Sequence, residues 1–410
     1  MRPASIVVVI GALSVGALFA CSSSGAGSST GSCASLAACC AKTSSSNAGE
    51  CNAVVSEGSA AACSAELAIY QGSNLCGGGS GSGGGPFTDG GTGPGSGSGS
   101  GGAGAASGLV VFGGVDATGT LLSDTWTWNG TGWTPSPVTA PPPRDSAAMA
   151  RLQGKLVLFG GSGASGLLAD TWTWDGRIWS ALGVVGPSAR EAFVMAPLGD
   201  IIVLFGGTDG THVMNDTWTF DGTQWSQVQT AGPPGRAWST MAPFSGQLIL
   251  FGGFGPMGGG SAPLDDTWTW NGTAWKALPV VGPSARWMSA MAPSTTELLL
   301  FGGLGPGSPD AGGGSTYGSG PGGSGSTGSA VDDLGDTWAW NGTAWASVSM
   351  AGPSPRDAAQ MGTLDGTVIV FGGAAGESAL GDTWSWDGAL WMAPSTPGPP
   401  PRFAGAAASF

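Results

Sequence analysis

The sequence is poor in charge, and poorest in positive charge. Charged residues make up 9% of the 410 residues, against about 25% in an average globular protein. The 12 Lys and Arg residues face 26 Asp and Glu residues, for a net charge of −14. Because binding to nucleic acid or to an anionic membrane surface relies on basic patches, this composition argues against both kinds of partner.

Residue types that carry much of enzyme chemistry are also scarce. The chain has one His, His212, and two Tyr, Tyr70 and Tyr317, and no Cys follows residue 76. No pair of histidines is present to bind zinc, and a single His does not favour a Ser-His-Asp triad, so we predict no metal site, no cofactor and no catalytic residues. Carboxylate pairs, which suffice for glycoside hydrolysis, remain as the enzymatic alternative.

The longest apolar run lies at the N-terminus. Arg2 precedes the run, which ends before Cys21; this predicts an export signal over residues 1–20, with an uncleaved membrane anchor as the alternative. The string LFAC that ends at Cys21 resembles the lipobox of bacterial lipoproteins. That resemblance implies lipidation of Cys21 and anchoring in the cell envelope, and Ser22 favours the outer membrane.

Six further cysteines lie close together behind a short tether over residues 21–32. They are Cys33, Cys39, Cys40, Cys51, Cys63 and Cys76. An even, dense set in an exported segment predicts a disulfide framework, here in a small helical module over residues 33–76, and the pairing stays open. A metal cluster is the weaker alternative, because no His or C-x-x-C accompanies the thiols. Residues 77–105 are nearly all Gly and Ser, which is typical of a flexible linker.

Beyond the linker, over residues 106–410, the chain is a repeat of six units. Each unit has an FGG motif, a DTW motif, a further Trp and a Pro-rich run ending in Arg. The DTW motifs begin at Asp124, Asp170, Asp216, Asp266, Asp336 and Asp382. The arginines are Arg144, Arg190, Arg236, Arg286, Arg356 and Arg402. Successive DTW motifs are 46 to 50 residues apart, except for a spacing of 70 where residues 304–335 contain a low-complexity insertion.

Each unit reads as four strands, with an Asn-Gly or Asp-Gly hairpin turn between the third and fourth. Four-stranded units at this spacing are typical of a β-propeller. The FGG, the DTWTW-type strand and the later Trp resemble the kelch repeat, of the type in the galactose oxidase central domain. We therefore predict an all-β, six-bladed propeller of four-stranded antiparallel blades. Its first unit lacks an inner strand, which the C-terminal segment 402–410 should supply.

The arginines are the most prominent candidate site residues. Each precedes an inner strand, so all six should lie at one mouth of the central channel, near Trp238, Trp287 and Phe403. Two interpretations stay open: each arginine pairs with a DTW aspartate to fix the loops, or some of them contact a ligand. We predict a binding module for a protein or polysaccharide, with a carbohydrate-active enzyme using the same loop face as the alternative.

Overall fold

The computed structural model describes residues 108–138, 140–257, 260–306, 331–348 and 351–410. The predicted export signal, tether, cysteine-rich module and linker lie outside these residues, as does most of the insertion. The described part is all β and contains no α-helix, so it holds no helix that could cross a membrane.

The described residues form six four-stranded antiparallel sheets. Sheet 1 contains β35 (Ala406–Ser409), β1 (Leu109–Phe112), β3 (Thr125–Trp128) and β4 (Trp133–Ser136). Sheet 2 contains β6 (Ala148–Leu152), β7 (Lys155–Phe159), β10 (Thr171–Trp174) and β11 (Trp179–Leu182). Sheet 3 contains β12 (Val194–Leu198), β13 (Ile201–Phe205), β14 (Thr217–Phe220) and β15 (Trp225–Val228).

The remaining three sheets follow the same order of strands. Sheet 4 contains β16 (Thr240–Phe244), β17 (Gln247–Phe251), β20 (Thr267–Trp270) and β21 (Trp275–Leu278). Sheet 5 contains β22 (Ala290–Pro293), β23 (Leu298–Phe301), β26 (Thr337–Trp340) and β27 (Trp345–Val348). Sheet 6 contains β28 (Gln360–Leu364), β29 (Thr367–Phe371), β32 (Thr383–Trp386) and β33 (Trp391–Met392). The predicted all-β fold of repeated four-stranded antiparallel units is confirmed.

Short strands pair beside these sheets. They are β2 (Val115–Asp116) with β34 (Arg402–Phe403), β5 (Arg144–Asp145) with β8 (Ser162–Gly163) and β9 (Gly166–Leu167), β18 (Phe254–Met257) with β19 (Gly260–Pro263), β24 (Leu304–Pro306) with β25 (Val331–Asp333), and β30 (Ala374–Ala375) with β31 (Ser378–Ala379). Strands β5 and β34 each precede an inner strand, and the others lie between the second and third strands of a sheet. We call the β8–β9, β18–β19, β24–β25 and β30–β31 pairs, with their equivalents in sheets 1 and 3, the outer hairpins.

The aromatic residues of the repeat pack between neighbouring sheets. Phe159 of sheet 2 contacts Trp225 of sheet 3, with ring centroids 5.2 Å apart. The Trp225 indole also donates a hydrogen bond of 3.1 Å to the Thr171 hydroxyl, so its one polar group is satisfied inside the apolar layer. The prediction that the tryptophans build the core between units is confirmed here, since Trp225 is 7% exposed.

The two glycines of the FGG motif let neighbouring sheets approach each other closely. Gly206 has φ of 72°, and a Cβ placed on it would lie 2.6 Å from the Arg236 carbonyl oxygen. Only glycine fits such a left-handed, crowded position without strain. The following Gly207 donates its backbone N–H to that same carbonyl at 2.9 Å. The diglycine thus attaches one sheet to the arginine segment of the next.

The inner strands contact one another in sequence order: β6, β12, β16, β22, β28 and β35. The last of them, β35, also contacts the first, β6. Strand β35 pairs antiparallel with β1, with Ser409 opposite Leu109 and Ala406 opposite Phe112. The C-terminal residues therefore stand beside the first strand of the repeat region.

Candidate functional site

The strand order gives each sheet two ends of different character. Each inner strand starts just after an arginine and runs to a short hairpin, and the third strand runs the same way to its Asx turn. All the arginines and outer hairpins therefore lie at one end, which we call the arginine end. The short hairpins and Asx turns lie at the opposite end, which we call the turn end.

Every blade arginine is buried and pairs with the DTW aspartate of its own sheet. Arg190 is 1% exposed and binds both carboxylate oxygens of Asp216, at 2.7 and 2.9 Å. Its remaining donors reach the carbonyl oxygens of Ser188 at 3.0 Å and Gly206 at 3.1 Å. The six pairs are Arg144–Asp170, Arg190–Asp216, Arg236–Asp266, Arg286–Asp336, Arg356–Asp382 and Arg402–Asp124.

These pairs are electrostatically tight. Burial by itself raises the pKa of Asp216, but hydrogen bonds from Arg190 and from the Trp218 indole outweigh it and hold the pKa below its usual value. The same balance lowers the pKa of the other five DTW aspartates. Bidentate pairing of this kind fixes geometry as well as charge, so the arginines hold the segment from which the inner strand departs.

The ligand-facing interpretation of the arginines has no geometric support. Arg144, Arg190, Arg236, Arg286, Arg356 and Arg402 are each 0% or 1% exposed. Direct contact with a ligand would require a guanidinium to give up bonds to a carboxylate and to backbone carbonyls. The other interpretation, pairing with the DTW aspartates, is the arrangement observed.

A ring of backbone hydrogen bonds surrounds the channel at the arginine end. Its members lie two residues after each arginine and have φ between 47° and 56°; they are Ser146, Ala192, Trp238, Met288, Ala358 and Ala404. Each donates its N–H to the carbonyl of its counterpart in the preceding sheet, at 2.8 to 3.1 Å. The series returns to its start, because Ser146 donates to Ala404 at 2.9 Å. Non-glycine residues rarely adopt this conformation, so its sixfold use marks a special position.

The residue directly after each arginine differs from sheet to sheet. In sheet order from 2 to 6 and then 1, the occupants are Asp145, Glu191, Ala237, Trp287, Asp357 and Phe403. We call these six the rim positions. Trp287, Phe403 and the neighbouring Trp238 are each half-buried, so of the nine predicted ligand-binding residues these three keep exposed surface.

Trp287 and Glu191, two of the rim residues, interact with the sheet before their own. Trp287 packs edge-on against Phe254, with centroids 5.5 Å apart. Burial and the nearby charge of Asp145 raise the pKa of Glu191, against a hydrogen bond from Ser162. Burial also raises the pKa of Asp145. Two carboxylates of adjacent sheets are thus held close together without a basic partner of their own.

The third rim acid forms a carboxyl pair. Asp357 is 3% exposed, and burial, followed by the charge of Asp333 and a hydrogen bond to it, raises its pKa to about 8. Asp333 itself accepts the Gly376 backbone N–H at 2.6 Å. At neutral pH Asp357 therefore holds its proton, because a buried carboxyl group beside a like charge does not ionise readily. Sequence reasoning missed this pair, since Asp333 belongs to the end of the low-complexity insertion and fits no motif.

Charge is unevenly distributed between the two ends. The described bases at the arginine end are the six paired arginines and His212, whose side chain is 78% exposed and lies 3.4 Å from Asp209. The described acids there, beyond the DTW aspartates, are Asp116, Asp145, Glu191, Asp209, Asp265, Asp332, Asp333, Asp357 and Glu377. The turn end mixes both signs, and its charged residues are Arg151, Lys155, Asp175, Arg177, Asp200, Asp221, Lys276, Glu297, Asp365 and Asp387. The arginine end is therefore the acidic one.

Two cavities between the inner strands meet at a ring of lining side chains that is mostly methionine. One cavity of about 170 Å³ and another of about 270 Å³ share the same lining side chains at their junction. These are Met149, Met195, Met241, Met291 and Met361, with Ala407 completing the ring. Within the described residues no group of three or more His, Cys, Asp or Glu could hold a metal ion.

The sheets and their order define the repeat region as a propeller-type all-β protein. Residues 91–253 match the family model described as the KLHDC2/KLHL20/DRC7 Kelch-repeats domain. This match and the repeated four-stranded sheets fit a kelch-repeat β-propeller, so the predicted resemblance is confirmed. No curated protein matches the chain. Kelch propellers are protein-interaction folds, which makes a protein-binding role the general function indicated.

Proposed function

We propose that residues 106–410 form a closed, six-bladed propeller that binds a protein or polysaccharide at its arginine end. We further propose that Cys21 carries a lipid that holds it at the cell envelope, on the outer membrane. The protein acts in this proposal as a binding module and not as an enzyme.

Three cyclic sets of contacts support closure. The backbone ring from Ser146 to Ala404 is one. A second joins the fourth strand of each sheet to the third strand of the preceding sheet, and includes Trp133 of sheet 1, whose indole donates to Thr383 of sheet 6 at 2.9 Å. The third is the series of Phe–Trp contacts, which includes Trp133 and Phe371 at 4.9 Å. Each set connects sheet 6 to sheet 1 as it connects any other neighbours, and this supports a closed ring of sheets.

One observation carries the binding role. The arginine positions are identical, buried and paired in six sheets, whereas the rim position one residue later holds acids, aromatics and an alanine. A uniform scaffold supporting variable side chains is how proteins place recognition surfaces. If the end were only structural, the rim positions would have the same reason to be uniform as the arginines.

The tether follows from the sequence. The lipobox-like string predicts attachment at Cys21, and the Gly/Ser-rich composition of residues 77–105 predicts a flexible spacer. A chain of this kind and length has a root-mean-square reach of about 30 Å. The propeller would therefore sample partners within a short distance of the membrane surface.

An enzyme remains the second candidate because of the Asp333–Asp357 pair. A carboxyl group kept protonated at neutral pH beside a second carboxyl group is an arrangement that glycosidases use. Asp357 is nevertheless 3% exposed, so a sugar has no access to it in this structure. Binding is accordingly the function we propose first.

The test compares two matched truncations at opposite ends. Trp287→Ala removes an apolar side chain from the rim, and Ile178→Ala removes one from the turn end, where Ile178 is 53% exposed. We expect Trp287→Ala to weaken every ligand found on glycan and peptide arrays by about tenfold or more, as hot-spot aromatics do, and Ile178→Ala to have no effect. Loss of binding in Ile178→Ala alone would contradict the site. Sugar release in a parallel hydrolysis assay would contradict the non-enzymatic role.

A further inference from the structure

We infer that the arginine end recognises a basic segment of a protein partner, with Lys or Arg side chains seated at the rim acids. This inference rests on the proposed binding function and specifies its ligand. The six blade arginines do not oppose such a ligand, because their side chains are buried and paired with aspartates.

The first argument is the balance of charge. Each blade arginine is neutralised by its own aspartate, so the described part of the arginine end presents acids to solvent with His212 as its one exposed base. Clefts lined by one sign of charge concentrate ligands of the other sign and accelerate their association. A positively charged ligand is therefore attracted to this end, and a negatively charged ligand is repelled.

The second argument is the set of buried carboxylate oxygens that lack a partner. Asp332 is 6% exposed, and neither of its two carboxylate oxygens has a hydrogen-bond donor. Buried acceptors without donors are costly. An ammonium or guanidinium group supplies several donors together with the compensating charge.

The third argument distinguishes a segment from a single ion. Glu191 and the exposed Glu377 belong to sheets 3 and 6, which lie opposite each other in the ring of inner-strand contacts. Between them, sheets 4 and 5 place Trp238 and Trp287, whose faces attract cations. One small ion cannot contact both acidic positions, whereas a chain with several basic side chains can cross the mouth and use both.

The experiment measures binding of a labelled oligolysine peptide to the whole protein, beside oligoglutamate and Gly/Ser peptides of equal length. Asp145→Asn with Glu191→Gln removes two acids from the rim. Asp200→Asn with Asp365→Asn removes two exposed acids from the turn end and keeps the same net charge. We expect the rim variant to lose about 5- to 20-fold in affinity and the turn-end variant almost none, with binding of the wild type weakening steeply as salt rises.

Each other outcome overturns the inference. Equal losses in the two double variants would show a net-charge effect without a site. Binding of cationic chitosan oligomers without any binding of oligolysine would assign the rim acids to a glycan. If oligolysine fails while array ligands still depend on Trp287, the basic-segment inference is wrong and the binding function stands. If no probe binds at all, the binding function itself fails.

Discussion

The two ends of the propeller are built from the same repeat, yet the arginine end varies more in the length of its loops. At the turn end, each turn after the third strand has an Asn or Asp whose side chain accepts backbone N–H groups two and three residues on, as Asn129 does from Thr131 and Gly132 at 2.9 Å. At the arginine end, the outer hairpins differ in length and the rim positions differ in chemistry. Uniformity thus marks the positions that reverse or anchor the chain, and variation begins one residue beyond the arginines.

The largest effect is expected from removing an anchor. Asp124→Ala leaves Arg402 buried without its carboxylate, and an uncompensated buried charge costs about 3–5 kcal/mol of unfolding free energy. Because Arg402 and Asp124 connect the last strand with the first sheet, the substitution also tests closure. The measurement is chemical or thermal denaturation followed by tryptophan fluorescence.

The comparison that sharpens this test is Asp216→Ala, which removes the same contact inside sheet 3. Equal destabilisation by the two substitutions is expected if the junction of the chain ends is as tight as any other. A small effect of Asp124→Ala beside a large effect of Asp216→Ala would contradict closure. Glu377→Gln, an exposed acid at the same end, should change stability little.

An intermediate effect is expected at the rim. The pKa of Asp357 is raised to about 8 by burial and by Asp333, above its usual unfolded value of about 3.9. The folded state therefore holds a proton that the unfolded state releases between these values, and stability falls as pH rises through that window. Asp357→Asn should remove this slope. At about pH 9 the free energy of unfolding of the variant should exceed that of the wild type by about 1–3 kcal/mol.

Melting curves of the wild type and Asp357→Asn between about pH 5 and about pH 9 measure the slope. Parallel curves for the two proteins would mean that Asp357 is ionised throughout, and the carboxyl pair would then be wrong. The exposed Glu377→Gln variant serves again as the control, and its curve should follow that of the wild type.

The smallest effect on stability is expected from replacing either of two tryptophans in the repeated core. The Trp275 indole donates to the Thr217 hydroxyl at 2.9 Å, whereas the buried Trp270 indole has no partner, and sheet 3 has Phe220 at the position equivalent to Trp270. Trp275→Phe should therefore lose about 1–2 kcal/mol, and Trp270→Phe less than that. A larger loss for Trp270→Phe in urea denaturation would contradict this account.

Much of this architecture could be predicted because the repeat supplies six readings of the same signal. The alternation in DTWTW, the diglycine and the Asx turn each recur, so the four-stranded units and the Arg–Asp pairing were accessible from pattern and count. The burial of the arginine side chains could not be predicted, because it depends on how neighbouring sheets pack against each other. Asp333 was not accessible either: it pairs with Asp357 across two sheets, and no local pattern relates them.

The ring of backbone hydrogen bonds that starts at Ser146 has a consequence for how such a protein changes over time. Each sheet contributes one N–H and one carbonyl from equivalent residues, so the bonds do not depend on which unit occupies which place. A unit can therefore be exchanged or duplicated by recombination, and its N–H and carbonyl still meet a partner in each neighbouring unit. Its rim residue travels with it, so new combinations of recognition chemistry can arise from shuffling whole units, without any change to the contacts that join them.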